Sequence, residues 1–283
     1  MNGIRLIALD MDGTLLNNAN EITTENKEAI LEAGERGIEV VISTGRPFVG
    51  VHAEELVPLG VHYAITANGG AVYQMVGQEC IFESSMACGK ICPIIRELQK
   101  KEIHFNAFVN GKRYGETSRL PIIDRLVMPE ATKKFIRSTT IPVDDMAAFL
   151  EENGLNVEKM TLNFLEQPDG SFKDRDDVIR LFERNPYVTY LSGGYSNLEL
   201  TKAGTTKGLG LKFLADYLHI PLEETMAVGD TPNDLDIIRT AGVGVAMENA
   251  YEEVKQAADF VTRSNEESGV AYAIRTLAFG SCR

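Results

Sequence analysis

Three aspartates, a pair of hydroxyls and one lysine stand where apolar runs of this 283-residue chain break off. Asp10 and Asp12 follow the run Ile4 to Leu9, and Ser43 and Thr44 follow Ile38 to Ile42. Lys207 follows the expected strand Asn197 to Leu200 through the loop Thr201 to Thr206, and Asp230 comes just after Thr225 to Val228. Buried apolar runs of this length read as strands covered on both faces. In an open parallel sheet, ligands bind outside the carboxyl ends of the strands, so these residues should converge on one edge. Carboxylates, hydroxyls and an ammonium together suit an oxygen-ligated Mg²⁺ bound with an anionic substrate.

Asp10 and Asp12 are two positions apart, which in extended chain sends both side chains to one face. Adjacent carboxylates repel, and either a divalent cation relieves them or one keeps a proton. That division suits a nucleophile at Asp10 and a general acid/base at Asp12. Asp-Met-Asp-Gly is also the composition of an ordinary turn. At the second acidic site Thr231 can cap a helix, Pro232 fits its first position, and Asn233 and Asp234 occupy its first turn. Unpaired N–H groups there favour a phosphate or a metal-bound carboxylate, or simply make a well-capped helix. Lys207 follows Gly204-Thr205-Thr206, but the spacing does not match a nucleotide-binding phosphate loop. A helix-start lysine is ordinarily solvated, and only its place in the series gives it meaning.

The elements that must position these groups alternate between strand and helix at both ends of the chain. Ile4 to Leu9 reads as a strand, Ile22 to Arg36 as a helix closed by Gly37, and Ile38 to Ile42 as a second strand. A helix is expected from Pro47 to about Gly60, then a strand Tyr63 to Ala67. A tight turn at Asn68-Gly69-Gly70 leads back into Ala71 to Tyr73. From Ser84 the rhythm changes to a helix Ile91 to Lys101, a hairpin around Asn110-Gly111, a strand Lys159 to Leu165 and a helix Asp176 to Arg184. This reads as an inserted α+β module. The first pattern is expected to return near Tyr187, with a strand Asn197 to Leu200 and a helix from Lys207 to about His219. The strand Thr225 to Val228, a helix to Thr240 and a short strand Val243 to Ala246 follow. The fold class is therefore α/β, a parallel-sheet domain interrupted by a second module, with boundaries at 1–84, 85–189 and 190–283.

Length alone suggests about two domains at roughly 150 residues each. Lys and Arg number 28 against 41 Asp and Glu, and the net charge of −13 argues against a nucleic-acid surface and a polybasic membrane contact. No apolar run approaches the roughly 18–20 residues of a membrane span. Asp10 interrupts what a secretory leader would need, and the expected location is the cytoplasm. Cysteines occur at 80, 88, 92 and 282, too few for a disulfide framework. Cys88 and Cys92 share a helix face but lack the further ligands of a zinc site. Asp174, Asp176 and Asp177 open a helix, where acidic residues are ordinary.

In series, the four stations resemble the haloacid-dehalogenase superfamily of phosphatases. The motifs are Asp10-Met11-Asp12-Gly13-Thr14-Leu15, Thr44 at a strand end, Lys207-Gly208, and Gly229-Asp230-Thr231-Pro232-Asn233-Asp234. Thr44-Gly45-Arg46-Pro47, Asn68-Gly69 and the long insertion resemble its Cof-type branch. Members of that branch carry a C2-type cap on a Rossmann-like core and act mostly on sugar phosphates or related small phosphorylated metabolites. The resemblance implies that Asp10 attacks phosphorus to form an aspartyl-phosphate. Asp12 would protonate the leaving alcohol and then activate water. Mg²⁺ would be held by Asp10, the Asp12 carbonyl and Asp230, with Asp234 in support behind them. Phosphate oxygens would meet Thr44, the N–H groups of Met11 and Gly45, Lys207 and Asn233. The cap would close over the substrate and select the leaving group. Loss of Asp10 should abolish turnover, and loss of Lys207 should mainly weaken phosphate stabilisation.

Arg46 and Asn68 adjoin these stations; Arg46 reads equally as a substrate contact or a structural ion pair. His52, His62, His104 and His219 fall outside the motifs, and His104 is the one weak substrate-contact candidate. A phosphotransferase or sugar phosphomutase needs the same Asp10 and Asp12 and stands as the alternative. A non-catalytic sensor of phosphorylated ligands would not need the nucleophile.

Overall fold

A computed structural model describes residues 3–192 and 196–280, and Cys282 lies outside them. Contacts divide the chain into two units. Met1–Arg46, Val51–Phe82 and Thr206–Arg283 make the first, and Pro47–Gly50 with Glu83–Thr205 the second. The strands are β1 (Leu6–Leu9), β2 (Glu39–Ser43), β3 (Tyr63–Thr66), β4 (Ala71–Gln74), β5 (Glu79–Glu83), β6 (His104–Val109) and β7 (Lys112–Glu116). They continue as β8 (Thr140–Val143), β9 (Lys159–Asn163), β10 (Val188–Leu191), β11 (Asn197–Lys202), β12 (Thr225–Gly229), β13 (Val243–Ala246) and β14 (Phe260–Val261). Helices are α1 (Thr24–Glu35), α2 (Ala53–Leu56), α3 (Cys88–Gln99), α4 (Glu130–Thr139), α5 (Met146–Asn153), α6 (Arg175–Glu183), α7 (Lys207–Tyr217), α8 (Leu235–Thr240), α9 (Glu252–Ala257) and α10 (Gly269–Ala273). Among the described residues none is long and apolar enough to cross a membrane.

The first unit is built on an eight-stranded sheet in the order β14-β13-β12-β1-β2-β3-β4-β5. From β14 to β3 neighbours run parallel, and β4 turns back antiparallel on β3. Every residue of β1 and β12 is buried, as strands covered on both faces require. On one side Leu6, Ala8, Val41, Ile65 and Ala227 pack with Leu211 and Leu214 of α7 and Ile237 of α8. Helix α1 starts where Thr23 accepts the Asn26 N–H at 3.3 Å, and Gly37 follows its end at φ +75°. The chain leaves β1 toward β2 on one side and returns through β12 on the other. The carboxyl end of β1 is therefore the switch point of the sheet.

The second unit carries a six-stranded sheet, β10-β11-β9-β6-β7-β8. All its pairs are antiparallel except β7 with β8. On β6, β9 and β11 every second residue faces the core. Phe105, Ala107, Met160, Leu162, Leu198 and Leu200 enter a core with Ile91 and Ile95 of α3, Met146 and Leu150 of α5, and Phe182 of α6. The β6–β7 hairpin turns through Asn110 and Gly111 at φ +49° and +71°, the pair expected of such a turn.

Two sequence expectations fail. The strand from Asn197, expected in the first sheet, is β11 of the second, paired antiparallel with β9 and β10. The return to the first unit therefore comes at Thr206 rather than residue 190. Its pattern carries the reason: Leu198 and Leu200 are buried in the core while Asn197 and Glu199 stay partly exposed, a half-buried strand. The helix expected from Pro47 to Gly60 breaks into 3-10 turns at Phe48–Gly50 and Val57–Leu59 flanking the single turn α2. Pro47–Gly50 belongs to the second unit, where the Val49 N–H donates to Gly111 O at 2.9 Å. Pro58 lacks the N–H that a longer helix would use.

Gly69, at φ +91° in the β3–β4 turn, has no room for a side chain, because a Cβ would lie 1.9 Å from Thr206 O. Gly69→Ala should destabilise the protein by more than about 1 kcal/mol in urea unfolding. Gly3→Ala, at an open position, serves as the control.

Candidate active site

Lys207 is the first residue of α7, where Thr206 caps the helix by accepting the Leu209 N–H at 3.1 Å. A cation at a helix N-terminus opposes the helix dipole. What holds it there is a pair of carboxylates: its Nζ donates to Asp10 Oδ1 and to Asp234 Oδ1, each at 2.6 Å, with all three side chains buried. Asp10 stands at the switch point, directly after β1, with its N–H on Val228 O at 3.0 Å. Asp234 ends the 3-10 turn after β12. Its Oδ2 accepts the N–H groups of Asp230 and Thr231, both at 3.1 Å. Both oxygens of Asp234 are thus committed, which suits support rather than direct metal contact. Asp230 is buried beside them and accepts the Thr14 hydroxyl at 3.0 Å. A Cβ on Gly13, at φ +80°, would come within 2.4 Å of its Oδ2.

Ligand oxygens of Asp10, Asp230 and Asp234 lie within 4.8 Å of one another. Burial pushes the Asp10 carboxyl well above its usual range. Lys207 opposes the shift, and Asp234 and Asp230 add to it. Asp230 is pushed up to about 6, first by burial and then by Asp234, against the Thr14 hydrogen bond and Lys207. Lys207 is held protonated by Asp10 and Asp234 although burial pulls the other way. The cluster therefore resists carrying three negative charges around one ammonium. A hard divalent cation relieves that excess, and an all-oxygen donor set fits one.

The Asp12 carboxylate stands apart from this cluster, with 57% of its side chain exposed. Arg46 grips both of its oxygens, Nε to Oδ2 at 2.9 Å and Nη2 to Oδ1 at 2.5 Å. Of the two readings of Arg46, the ion pair is the one formed. Thr44 is buried; its N–H bonds Ile65 O at 2.8 Å and its hydroxyl accepts the Arg46 N–H at 3.2 Å. Gly45 lies between these two, and Met11 is buried beneath the β1 turn. Asn68, at φ +57°, donates its N–H to Thr44 O at 3.2 Å and accepts Asn233 Nδ2 at 3.4 Å. In the first unit the structure thus joins Asp10, Asp230, Asp234 and Lys207 in one cluster, Asp12 with Arg46, and Asn68 with Asn233.

His104 lies in the second unit, on β6, bonded through Nδ1 to Asn163 Nδ2 at 3.1 Å. Burial, with Arg113, Arg119 and Arg137, lowers it to about 4. Asp174 sits at the N-cap of α6 without capping it by its side chain, and Asp174 and Asp177 pair with Lys101 at 3.5 and 3.1 Å. Cys88 and Cys92 bring their sulfurs to 3.6 Å, and burial pushes Cys92 up to about 12, the wrong direction for a metal thiolate.

Sequence reasoning passed over three asparagines that fix the Asp10 loop. Asn26 Nδ2 bonds Leu15 O at 3.3 Å, Asn249 Nδ2 bonds Gly13 O at 2.8 Å, and Asn265 Nδ2 bonds Leu16 O at 3.0 Å. They come from three distant segments, and single asparagines leave no periodic signal. Thr14 and His52 were also given no role.

The model of the haloacid dehalogenase-like hydrolase family matches residues 7–274. The chain is 32% identical to phosphatase YwpJ of Bacillus subtilis over 286 residues, covering 97% of this chain and all of the relative. It is also 32% identical to the 5-amino-6-(5-phospho-D-ribitylamino)uracil phosphatase YwtE of the same organism, over 98% of this chain and 99% of that one. Among solved structures, a haloacid dehalogenase-like hydrolase from B. subtilis superposes with TM-score 0.80 at 30% identity, over 97% of this chain and all of that one. The subclass IIB sugar phosphatase BT4131 does so with TM-score 0.76 at 25% identity, over 96% and 98%.

The raised Asp230 has a consequence for stability without metal. In EDTA the folded state holds a proton between the ordinary carboxylate range and about 6 that the unfolded state has released. Stability therefore falls as pH rises through that window. Asp230→Asn should flatten this slope in urea unfolding from pH 4 to 8, and the variant should gain on the parent at the alkaline end. A divalent cation held through Asp230 would reverse the order, adding about 2.7 kcal/mol to the parent at a hundredfold excess over Kd.

Proposed function

The chain belongs to the haloacid dehalogenase-like hydrolase family, in its Cof-type branch, and is a phosphatase; on that premise we propose that it is a Mg²⁺-dependent phosphomonoesterase working through an aspartyl-phosphate at Asp10. The observation that carries the proposal is the buried Lys207 bridging Asp10 and Asp234 at 2.6 Å, with Asp230 beside them at the switch point of the sheet. A nucleophilic carboxylate must meet a dianionic phosphate, and this cluster supplies a fixed cation and a set of donors for a second one.

Asp10 and Asp230, with the Asp12 carbonyl, would hold Mg²⁺, and Asp234 would orient Asp230 and Lys207 from behind. The metal would neutralise charge on the phosphoryl oxygens and on the carboxylates facing them. An Asp10 oxygen attacks phosphorus in line with the ester oxygen. Asp12 would take up a proton as the phosphate dianion enters, keep one oxygen on Arg46, and give that proton to the leaving alkoxide as the P–O ester bond breaks. Asp12, now a carboxylate, takes a proton from water as that water attacks phosphorus and the bond to Asp10 breaks. Lys207, the Thr44 hydroxyl, the N–H groups of Met11 and Gly45 and the Asn233 amide would meet the equatorial oxygens. Preorganised donors of this kind act without reorganisation when charge shifts in the transition state.

For substrate we favour a phosphorylated sugar or polyol. Two relatives support this by name, one acting on a phosphoribityl compound and one described as a sugar phosphatase. The test is phosphate release from a panel of phosphorylated metabolites with Mg²⁺ and with EDTA. Release should need the metal, and Asp10→Asn should lower it by at least about 10³-fold. Phosphate transfer to a second sugar in place of release would favour a mutase. Activity that survives Asp10→Asn would defeat the proposed mechanism.

A further inference from the structure

We infer that His52 is a positioning residue which, through Arg46, fixes the Asp12 carboxylate in the orientation its proton transfers require. This rests on the acid/base role proposed for Asp12 and goes beyond it. All three residues belong to the first unit.

The Arg46 guanidinium offers five N–H donors in one plane and no acceptor. Nε and Nη2 form a fork on the two oxygens of Asp12, at 2.9 and 2.5 Å. Nη1 lies 3.1 Å from His52 Nε2. Because the guanidinium only donates, Nε2 must accept, which puts the ring proton on Nδ1 and makes the imidazole neutral. The environment agrees: burial lowers the His52 pKa first and Arg46 next, against Glu55 and Asp12. Contacts on three nitrogens define the plane of the guanidinium, so the Asp12 carboxylate is held in that plane as well.

The Arg46 backbone is equally fixed. Its N–H donates to the Thr44 hydroxyl at 3.2 Å and its carbonyl accepts the Ala67 N–H at 2.9 Å, tying it to the ends of β2 and β3. The Arg46 side chain is only 16% exposed, whereas that of Asp12 is 57% exposed. The less exposed, doubly anchored partner is the arginine, so Arg46 positions Asp12 rather than the reverse. An ion pair exposed on one side adds little stability. Its effect here is to replace a freely rotating χ1 by one held orientation.

A brace on Asp12 has a kinetic signature that a phosphate contact lacks. Nitrophenolate leaves without a proton, whereas a sugar alkoxide needs one, and both routes need Asp12 as base in the second step. His52→Ala should lower kcat for a sugar phosphate by about tenfold, a fraction of the 10²–10⁴ that acid/base catalysis contributes, with KM little changed. With p-nitrophenyl phosphate, stopped flow should show a first-turnover burst at the parent rate and then a slowed steady state. His52→Gln, whose amide oxygen can accept from Arg46, should recover most of the loss, and Arg46→Ala should show the same signature more strongly. Unchanged kinetics in His52→Ala would overturn the inference. So would a rise in KM alone or an equally slowed burst, which would make Arg46 a substrate contact. A lowered Tm without rescue by Gln would assign His52 to the fold. If the parent protein itself released no phosphate, the phosphatase mechanism, and not the brace, would be what failed.

Discussion

A buried ammonium between two carboxylates is the constraint around which the first unit is arranged. Taking Lys207, Asp10 and Asp234 out of water costs several kcal/mol per charge, and only close contact with good hydrogen bonds offsets it. The contacts are 2.6 Å on both sides. To make them, the end of β1, the start of α7 and the turn after β12 must arrive together, though Asp10 and Lys207 are 197 residues apart in sequence. The chain between them includes the entire long insertion of the second unit, so the cluster also ties the two halves of the first unit. Losing the lysine would therefore do more than weaken phosphate binding, because two buried carboxylates would be left facing each other.

The same constraint explains features with no chemistry of their own. Asp230 must lie against the β1 turn, and only a residue without Cβ leaves it that room, hence Gly13. The β3–β4 turn must pass the residue before Lys207 at backbone contact, hence Gly69. Asn26, Asn249 and Asn265 each donate to a carbonyl of the Asp10 loop. The loop after β1 has irregular backbone, and irregular backbone needs side chains to pair its polar groups. The site is held in shape by amides as much as by charges.

That division decides what the sequence could reveal. Asp10, Thr44, Lys207 and Asp230 were legible because each ends a buried strand or opens a helix, and the parallel-sheet rule converts that position into a place in space. Asn26 and His52 were not, since a single polar residue inside or before a helix carries no periodicity and its partners are distant in sequence. The Asn197 strand was read as part of the wrong sheet although its alternation of Leu198 and Leu200 with Asn197 and Glu199 was visible. That alternation marks a half-buried strand, unlike β1 and β12, which are buried along their whole length. The Pro47 segment failed for another reason: whether four residues join a helix or leave for another unit depends on contacts no local pattern encodes.

Charge arithmetic links the cluster to the brace. Around Lys207, three carboxylates leave two negative charges uncompensated, the charge of one divalent cation. Were the Asp12 carboxylate turned into the same space, the excess would rise by one, and a phosphate dianion would face a more negative site. Arg46 holds that carboxylate outside the cluster while supplying it with its own cation. On the proposed mechanism the proton-transfer group can then stand two residues from the nucleophile without adding its charge to the place where the phosphate would sit. Two aspartates separated by one residue would do different work on the proposed mechanism because one is paired with a buried lysine and the other with a partly buried arginine.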